Sequence, residues 1–229
     1  MITLVEWDSE NLGIKVGNLF TDGNLSKEWF EEEISEAKRM QYDLLYLKGV
    51  SLPENLLSEN IFLADEKVVY SLTINSVTSF DDHCYSIINS GITAEILSLA
   101  YESGKFSRFK VDEKLSRHVF NTLYKLWIVR SLNGEIATDV LGYMEEGHCK
   151  GILTYKVKEG VVEIGLVAVT PDMAGKGIGS KLMQSFLSRF EQGTRIEVAT
   201  QKRNEVACHF YEKNGFTVDY TTKIYHVWI

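Results

Sequence analysis

The sequence predicts an α+β fold, an α/β mixed sheet built in layers, on three observations. Helical periodicity marks residues 92–102 and 113–131, three strand runs follow, and a strand–helix–strand–helix–strand succession closes the chain. Hydrophobic residues make up 45% of the 229 and charged residues 24%, which supplies a core and excludes wholesale disorder. That length accommodates one or two domains, and the polar stretch 75–89 reads as the boundary between a unit of residues 1–80 and a larger one of residues 90–229.

The elements follow in order. Residues 12–20 read as a strand. Ser26 is placed to cap a helix over 27–40, with Phe30, Ile34, Ala37 and Met40 on one face. The apolar run 43–50 is a buried strand, Pro53 opens a short helix through 58, and 61–74 is strand-rich. In the second unit Leu115, Val119, Leu123, Leu126 and Trp127 form one stripe of the helix 113–131. Strands are expected at 140–146, 149–158 and 161–169, the last two joined by a tight hairpin at Lys158-Glu159-Gly160. A Gly-rich loop leads into a helix over 177–191, then come a strand at 195–200 and a helix at 204–214 that Gly215 stops with a left-handed cap. Strands over 216–228 complete the chain, and 223–229 is read as an exposed edge for pairing between copies in a homodimer.

Charge and cysteine usage remove several function classes. A net charge of −8 gives no global basic field for nucleic acid or an anionic membrane. No apolar run approaches the roughly 18 residues of a membrane-spanning helix. The opening residues Met1 to Asp8 lack the basic-then-apolar order of a secretory signal, so a cytoplasmic protein is expected. Cys84, Cys149 and Cys208 are far apart, and the neighbours in His83-Cys84 and His148-Cys149 point to opposite faces of a strand. Neither a disulfide framework nor a metal site is expected.

The most informative segment is Val161-Val-Glu-Ile-Gly-Leu-Val-Ala-Val-Thr-Pro-Asp-Met-Ala-Gly-Lys-Gly-Ile-Gly-Ser180. A β-branched strand ends at Pro171, and Gly175, Gly177 and Gly179 lead into a helix. Alternate glycines let bare N–H groups approach an anion, and the helix start adds unpaired donors and the positive end of its dipole. The segment is therefore suited to cradle a phosphate, with Lys176 and Ser180 beside it. A nucleoside-triphosphate loop requires Ser or Thr after the lysine, whereas Gly177 follows Lys176. A dinucleotide fold requires a different glycine spacing, although Glu197 stands about 20 residues on, where a ribose-binding acid would be. A turn kept small for packing alone is the third reading.

From about residue 92 to the end, these residues resemble the GCN5-related N-acetyltransferase (GNAT) family, most closely between Leu166 and Met183. The resemblance implies that Leu166, Val167, Ala168 and Val169 form a splayed strand, the backbone of Val167 and Val169 holding the pantetheine arm of acetyl-CoA. It implies a pyrophosphate loop of Ala174, Gly175, Lys176, Gly177, Ile178, Gly179 and Ser180, with Ala174 standing where the family usually has Arg or Gln. A second block, Asn204 to Phe216, resembles the family's Asn…Tyr-x-x-x-Gly-Phe element, which places Asn204 on the CoA arm and Tyr211 beside the sulfur. Seven residues separate the two, so both face one side of a helix. A phenol near 10 protonates a thiolate of about 8.5 without a large uphill step. The plainer alternative is Tyr211 as a core aromatic beside Phe210 and Phe216.

Within the family the chain is similar to bacterial sugar-nucleotide acetyltransferases of the TDP-fucosamine type. The matching residues are Trp7-Asp8, Leu12-Gly13, Ser107-Arg108-Phe109, Ala174 to Gly179, and Val198-Ala-Thr-Gln201. This implies a nucleotide-linked 4-amino-4,6-dideoxy sugar as acceptor and an incomplete copy of the acetyltransferase fold in 1–80. Five cations and two anions between Lys105 and Arg117 give a local +3, which suits an anionic substrate or a solvated helix face. Arg108 is the residue expected to grip a substrate phosphate, because a guanidinium fork matches two oxygens; Phe106 and Phe109 are placed to stack on a base. For the general base, Glu163 follows the family pattern and Glu66 the narrower resemblance. Another amine acceptor, or a CoA-binding module without catalysis, remain alternatives.

Overall fold

A computed structural model describes residues 1–229 apart from 22, 24, 77 and 78. The predicted boundary stretch 75–89 includes two of these, which lie outside the described residues. The N-terminal part comprises β1 (Ile2–Leu4), α1 (Glu6–Leu12), β2 (Val16–Leu19), α2 (Lys27–Arg39), β3 (Leu44–Lys48) and β4 (Ile61–Thr73). It is followed by β5 (Cys84–Ser86), α3 (Ala94–Ser103), α4 (Arg108–Val111), α5 (Arg117–Leu132), β6 (Asp139–Glu145), β7 (His148–Lys158) and β8 (Val161–Val169). Then come α6 (Ile178–Leu187), β9 (Arg195–Gln201), α7 (Glu205–Lys213) and β10 (Thr217–Trp228). The ten strands form one mixed sheet in the order β1-β2-β3-β10-β4-β9-β8-β7-β6-β5. β2 with β3 and β8 with β9 are the parallel pairs, each spanned by a crossover helix, α2 and α6 respectively.

Alternation along each strand divides the core into two faces. Leu45, Leu47, Tyr225 and Val227 pack under α2, while Val68, Ile164, Val198 and Leu153 pack under α6 and α7. On the other face Leu44 and Tyr46 meet α1, α4 and α5, and Val140, Ile152 and Ala168 meet α3 and α5.

Several expectations are corrected. Of the predicted strand 12–20 only Val16–Leu19 is extended; Leu12 is the last residue of α1, which Gly13 ends at φ +70°, and a turn leads from there into the strand. The helix expected over 113–131 starts at Arg117, because Ser116 caps it from outside through Val119 N–H. Its core-facing residues are Phe120, Leu123, Tyr124, Ile128 and Leu132, with Leu126 and Trp127 at the flank. The final strand is no exposed edge: β10 pairs with β3 on one side and β4 on the other, so pairing between copies cannot run along it. The 159–160 hairpin holds, with both residues left-handed at φ 51° and 83°.

Candidate active site

Two adjoining cavities share the residues Ser103, Val167, Asn204, Ala207 and Tyr211. The first, a groove of about 450 Å³, runs along β8, the Gly-rich loop and α7. The second, of about 400 Å³, lies between the β7–β8–β9 strands and α5.

The groove originates in a parting of strands. β8 and β9 pair only from Val161 to Ile164 against Arg195 to Val198, although β8 continues to Val169 and β9 to Gln201. A bulge in β8 accompanies the parting, where Leu166 N–H donates to Thr154 Oγ1 at 2.8 Å instead of to a ladder partner. Gly165 is required there, because a Cβ would stand 2.6 Å from that hydroxyl. Thr170 N–H donates to Lys150 O on β7. By the two-residue period, Val169 and Val167 turn their own N–H and C=O groups away from β7, into the gap. An extended amide-bearing chain laid in the gap would find donors and acceptors there.

Beyond the strand, Gly175 and Gly177 are left-handed at φ 76° and 83°, with open space where a Cβ would be. The first helical bond of α6 is Lys181 N–H to Gly177 O, which leaves the N–H groups of Ile178, Gly179 and Ser180 without helical partners at the groove. Gly179 also admits the Phe210 ring, 3.1 Å from a hypothetical Cβ. Ala174 lines the groove and adds no cation, and the Lys176 side chain turns back, its Nζ 3.3 Å from Met173 Sδ. The donor set is thus mainly backbone amide, which fits the diphosphate of a CoA thioester.

At the junction, Asn204 caps α7 by accepting from Ala207 N–H through Oδ1, and it lines both cavities. Tyr211 is buried among Tyr70, Phe210 and Phe216, and also lines both cavities. It is thus a core aromatic that also borders the junction. Burial pushes its phenol well above the ordinary range, with the nearby Cys208 adding to the shift, so the hydroxyl keeps its proton throughout neutral pH.

The remaining expected residues divide. Glu163 and Leu166 line the second cavity, whereas Glu66 points to the α6–α7 face and pairs with Lys202 at 2.8 Å. Arg108 lines neither cavity but lies behind Tyr124, which does. Phe109 is core, stacked with Arg108 and edge-on to Trp127, so it is not free to stack on a base. Sequence reasoning missed Ser103, Tyr124, Trp127 and Gln201, which line the second cavity, and Asp65, a buried carboxyl pushed up to about 6 by burial against the pull of Arg108 and Arg203. Trp127 in the expected stripe and Gln201 in the matched block Val198 to Gln201 were the available signals; Ser103, Tyr124 and Asp65 carried none. Among the described residues no cluster of three His, Cys, Asp or Glu could hold a metal ion, and no helix is long and apolar enough to cross a membrane.

Comparison with known proteins places this geometry. The chain is 30% identical over 140 residues to the spore coat polysaccharide biosynthesis protein SpsD of Bacillus subtilis (strain 168), covering 60% of this chain and 48% of that protein. It thus spans about half the length of that curated relative. A functionally unknown conserved protein from Staphylococcus epidermidis ATCC 12228 shares the fold at a TM-score of 0.63 and 13% identity, over 94% of this chain and 85% of that one. A GCN5-related N-acetyltransferase from Sphaerobacter thermophilus does so at 0.56 and 13%, over 98% and 75%. The acetyltransferase (GNAT) family model matches residues 95–216, more than half of the chain and the whole span from α3 through the groove to Phe216, and the chain belongs to that family.

Proposed function

We propose that the protein transfers an acetyl group from acetyl-CoA to a primary amine of a nucleotide-linked amino sugar, of the TDP-4-amino-4,6-dideoxy type, by direct attack. The observation that carries the reading is the meeting of the two cavities at Tyr211 and Asn204. When bound, acetyl-CoA supplies an activated acyl carbon and a sulfur leaving group. Val167 and Val169 would hold its arm with backbone groups, and Gly175 to Ser180 its diphosphate. Tyr211 Oη holds the proton that the sulfur needs, at the junction where both reactants would arrive. The second cavity supports a sugar: the rings of Tyr124 and Trp127 give an apolar wall, and Thr154, Glu163, Thr200 and Gln201 give polar groups for hydroxyls. Glu163, exposed at this cavity, is placed to receive the amine proton. The name of the Bacillus relative, a polysaccharide biosynthesis protein, favours the same acceptor class.

The test is thiol release from acetyl-CoA over a panel of TDP- and UDP-amino sugars, a polyamine and a peptide N-terminus. Turnover confined to the amino sugars is the expected result. Turnover with the polyamine alone overturns the acceptor, and binding of acetyl-CoA without release for any amine leaves a binding module.

A further inference from the structure

We propose that Arg108 is the centre of an oxyanion site in which a phosphate or carboxylate group of the acceptor binds edge-on to the guanidinium, assisted by the hydroxyls of Tyr46 and Ser107. The inference rests on the acetyl-transfer reading for the identity of the acceptor, but not for the site itself. Of the five cations between 105 and 117, Arg108 is the one that is not exposed, its side chain only 21% accessible. Its guanidinium is clamped between the rings of Phe109, at 4.2 Å, and Tyr46, at 4.8 Å. Its carboxylate neighbour Asp8 stands 3.6 Å from Nη2, beyond hydrogen-bond length, and its Nε is buried with no partner. A guanidinium carries five N–H donors in a fixed fork, and leaving Nε without an acceptor in a largely buried position is costly. The hydroxyls of Tyr46 and Ser107 are likewise buried with no partner within hydrogen-bond length, although Asp8 and Arg108 lie near the first and Tyr124 near the second.

Charge around the clamp is unbalanced in the direction an anion would correct. Lys48 Nζ lies 5.4 Å over the same Tyr46 ring, and burial together with Arg108 holds its ammonium below the usual range. Lys67 and Arg203 add positive charge at Asp65, against the carboxyls Asp8, Asp65 and Asp112, the last held by His226 beside Tyr46. The site adjoins the acceptor cavity: α4 lies between Ser103 at the end of α3 and Tyr124 on α5, both of which line it. A rigid guanidinium edge is the protein's best match to two oxygens of one phosphate or carboxylate.

The experiment is a thermal-shift titration of the full chain with CoA at saturation, so that the glycine loop is occupied. The probes are thymidine diphosphate and inorganic pyrophosphate for the phosphate source, and glutarate for the carboxylate source. The expected result is that one source raises the wild-type Tm, and that Arg108→Met requires at least tenfold more of it while its shift with CoA is unchanged. Arg108→Lys, which keeps the charge without the fork, falls between. Arg108→Met leaves the buried Asp8 and Asp65 carboxyls without their cation, so its unliganded Tm falls, and if it does not melt cooperatively the Arg108→Lys titration decides. No shift of the wild type by any probe, or unaltered affinity in the variants, overturns the site. Failure of CoA itself to shift the wild type overturns the acetyl-CoA reading instead.

Discussion

Tyr211 combines a place in the core with a place at the junction of the two cavities. Its ring packs with Tyr70 and Phe216 while its hydroxyl end borders both cavities. Tyr211→Phe keeps the packing and removes the proton, so kcat should fall about 100-fold or more with the KM for acetyl-CoA nearly unchanged, measured by thiol release. Because the folded phenol titrates above its unfolded value, its contribution to stability is complete at neutral pH and is lost only as pH rises past about 10. The motif singled out Tyr211 and Asn204, and both border the junction of the two cavities. Glu66 and Asp65 show the opposite case: adjacent residues on a strand face opposite ways, so an acid assigned from likeness falls on the Lys202 side while its neighbour meets Arg108.

At the scale of elements, small residues set the shape of the site by leaving room. A Cβ at Gly104 would come within 2.1 Å of the Tyr124 ring, against the wall of the second cavity. Gly104→Ala should therefore raise the acceptor KM at least several-fold while acetyl-CoA affinity, read by calorimetry, stays near wild type. Gly177→Ala places a side chain in a left-handed conformation with no steric obstacle around it. It should cost about 1–2 kcal/mol of stability, from urea unfolding, and weaken acetyl-CoA binding by crowding the amide cradle. Long periodic elements such as α2 and β6 to β8 were legible because their patterns repeat over many residues. The seven-residue α1, the four-residue α4 and the three-residue β1 and β5 are too short to show a period, and they are fixed by what they pack on.

For the whole molecule, the Asp112–His226 pair fastens the segment after α4 to the middle of the sheet. Both side chains are fully buried, with Nδ1 2.5 Å from Oδ2 and Trp228 Nε1 donating to the same oxygen at 3.1 Å. Burial holds His226 below its ordinary value of 6.5, so it stays neutral while the unfolded chain takes up a proton. Stability should accordingly decline as pH falls below about 6.5, with Tm against pH as the measurement. Asp112→Ala should cost about 1–3 kcal/mol for each buried donor left without its acceptor, in urea unfolding at pH 7.5. The topology that this pair reinforces was not legible, because which strands become neighbours depends on contacts between distant parts of the chain. Residues 90–229 expressed alone should show no cooperative melt, since β10 would lose β3 and β4 together.

The position of β10 between β3 and β4 also bears on synthesis. A nascent chain emerging from the ribosome has β3 and β4 available early, yet the slot between them stays empty until 217–228 have cleared the exit tunnel. Completion of the central sheet is therefore a late event, and in the interval two unpaired strand margins are exposed to chaperones or to mispairing.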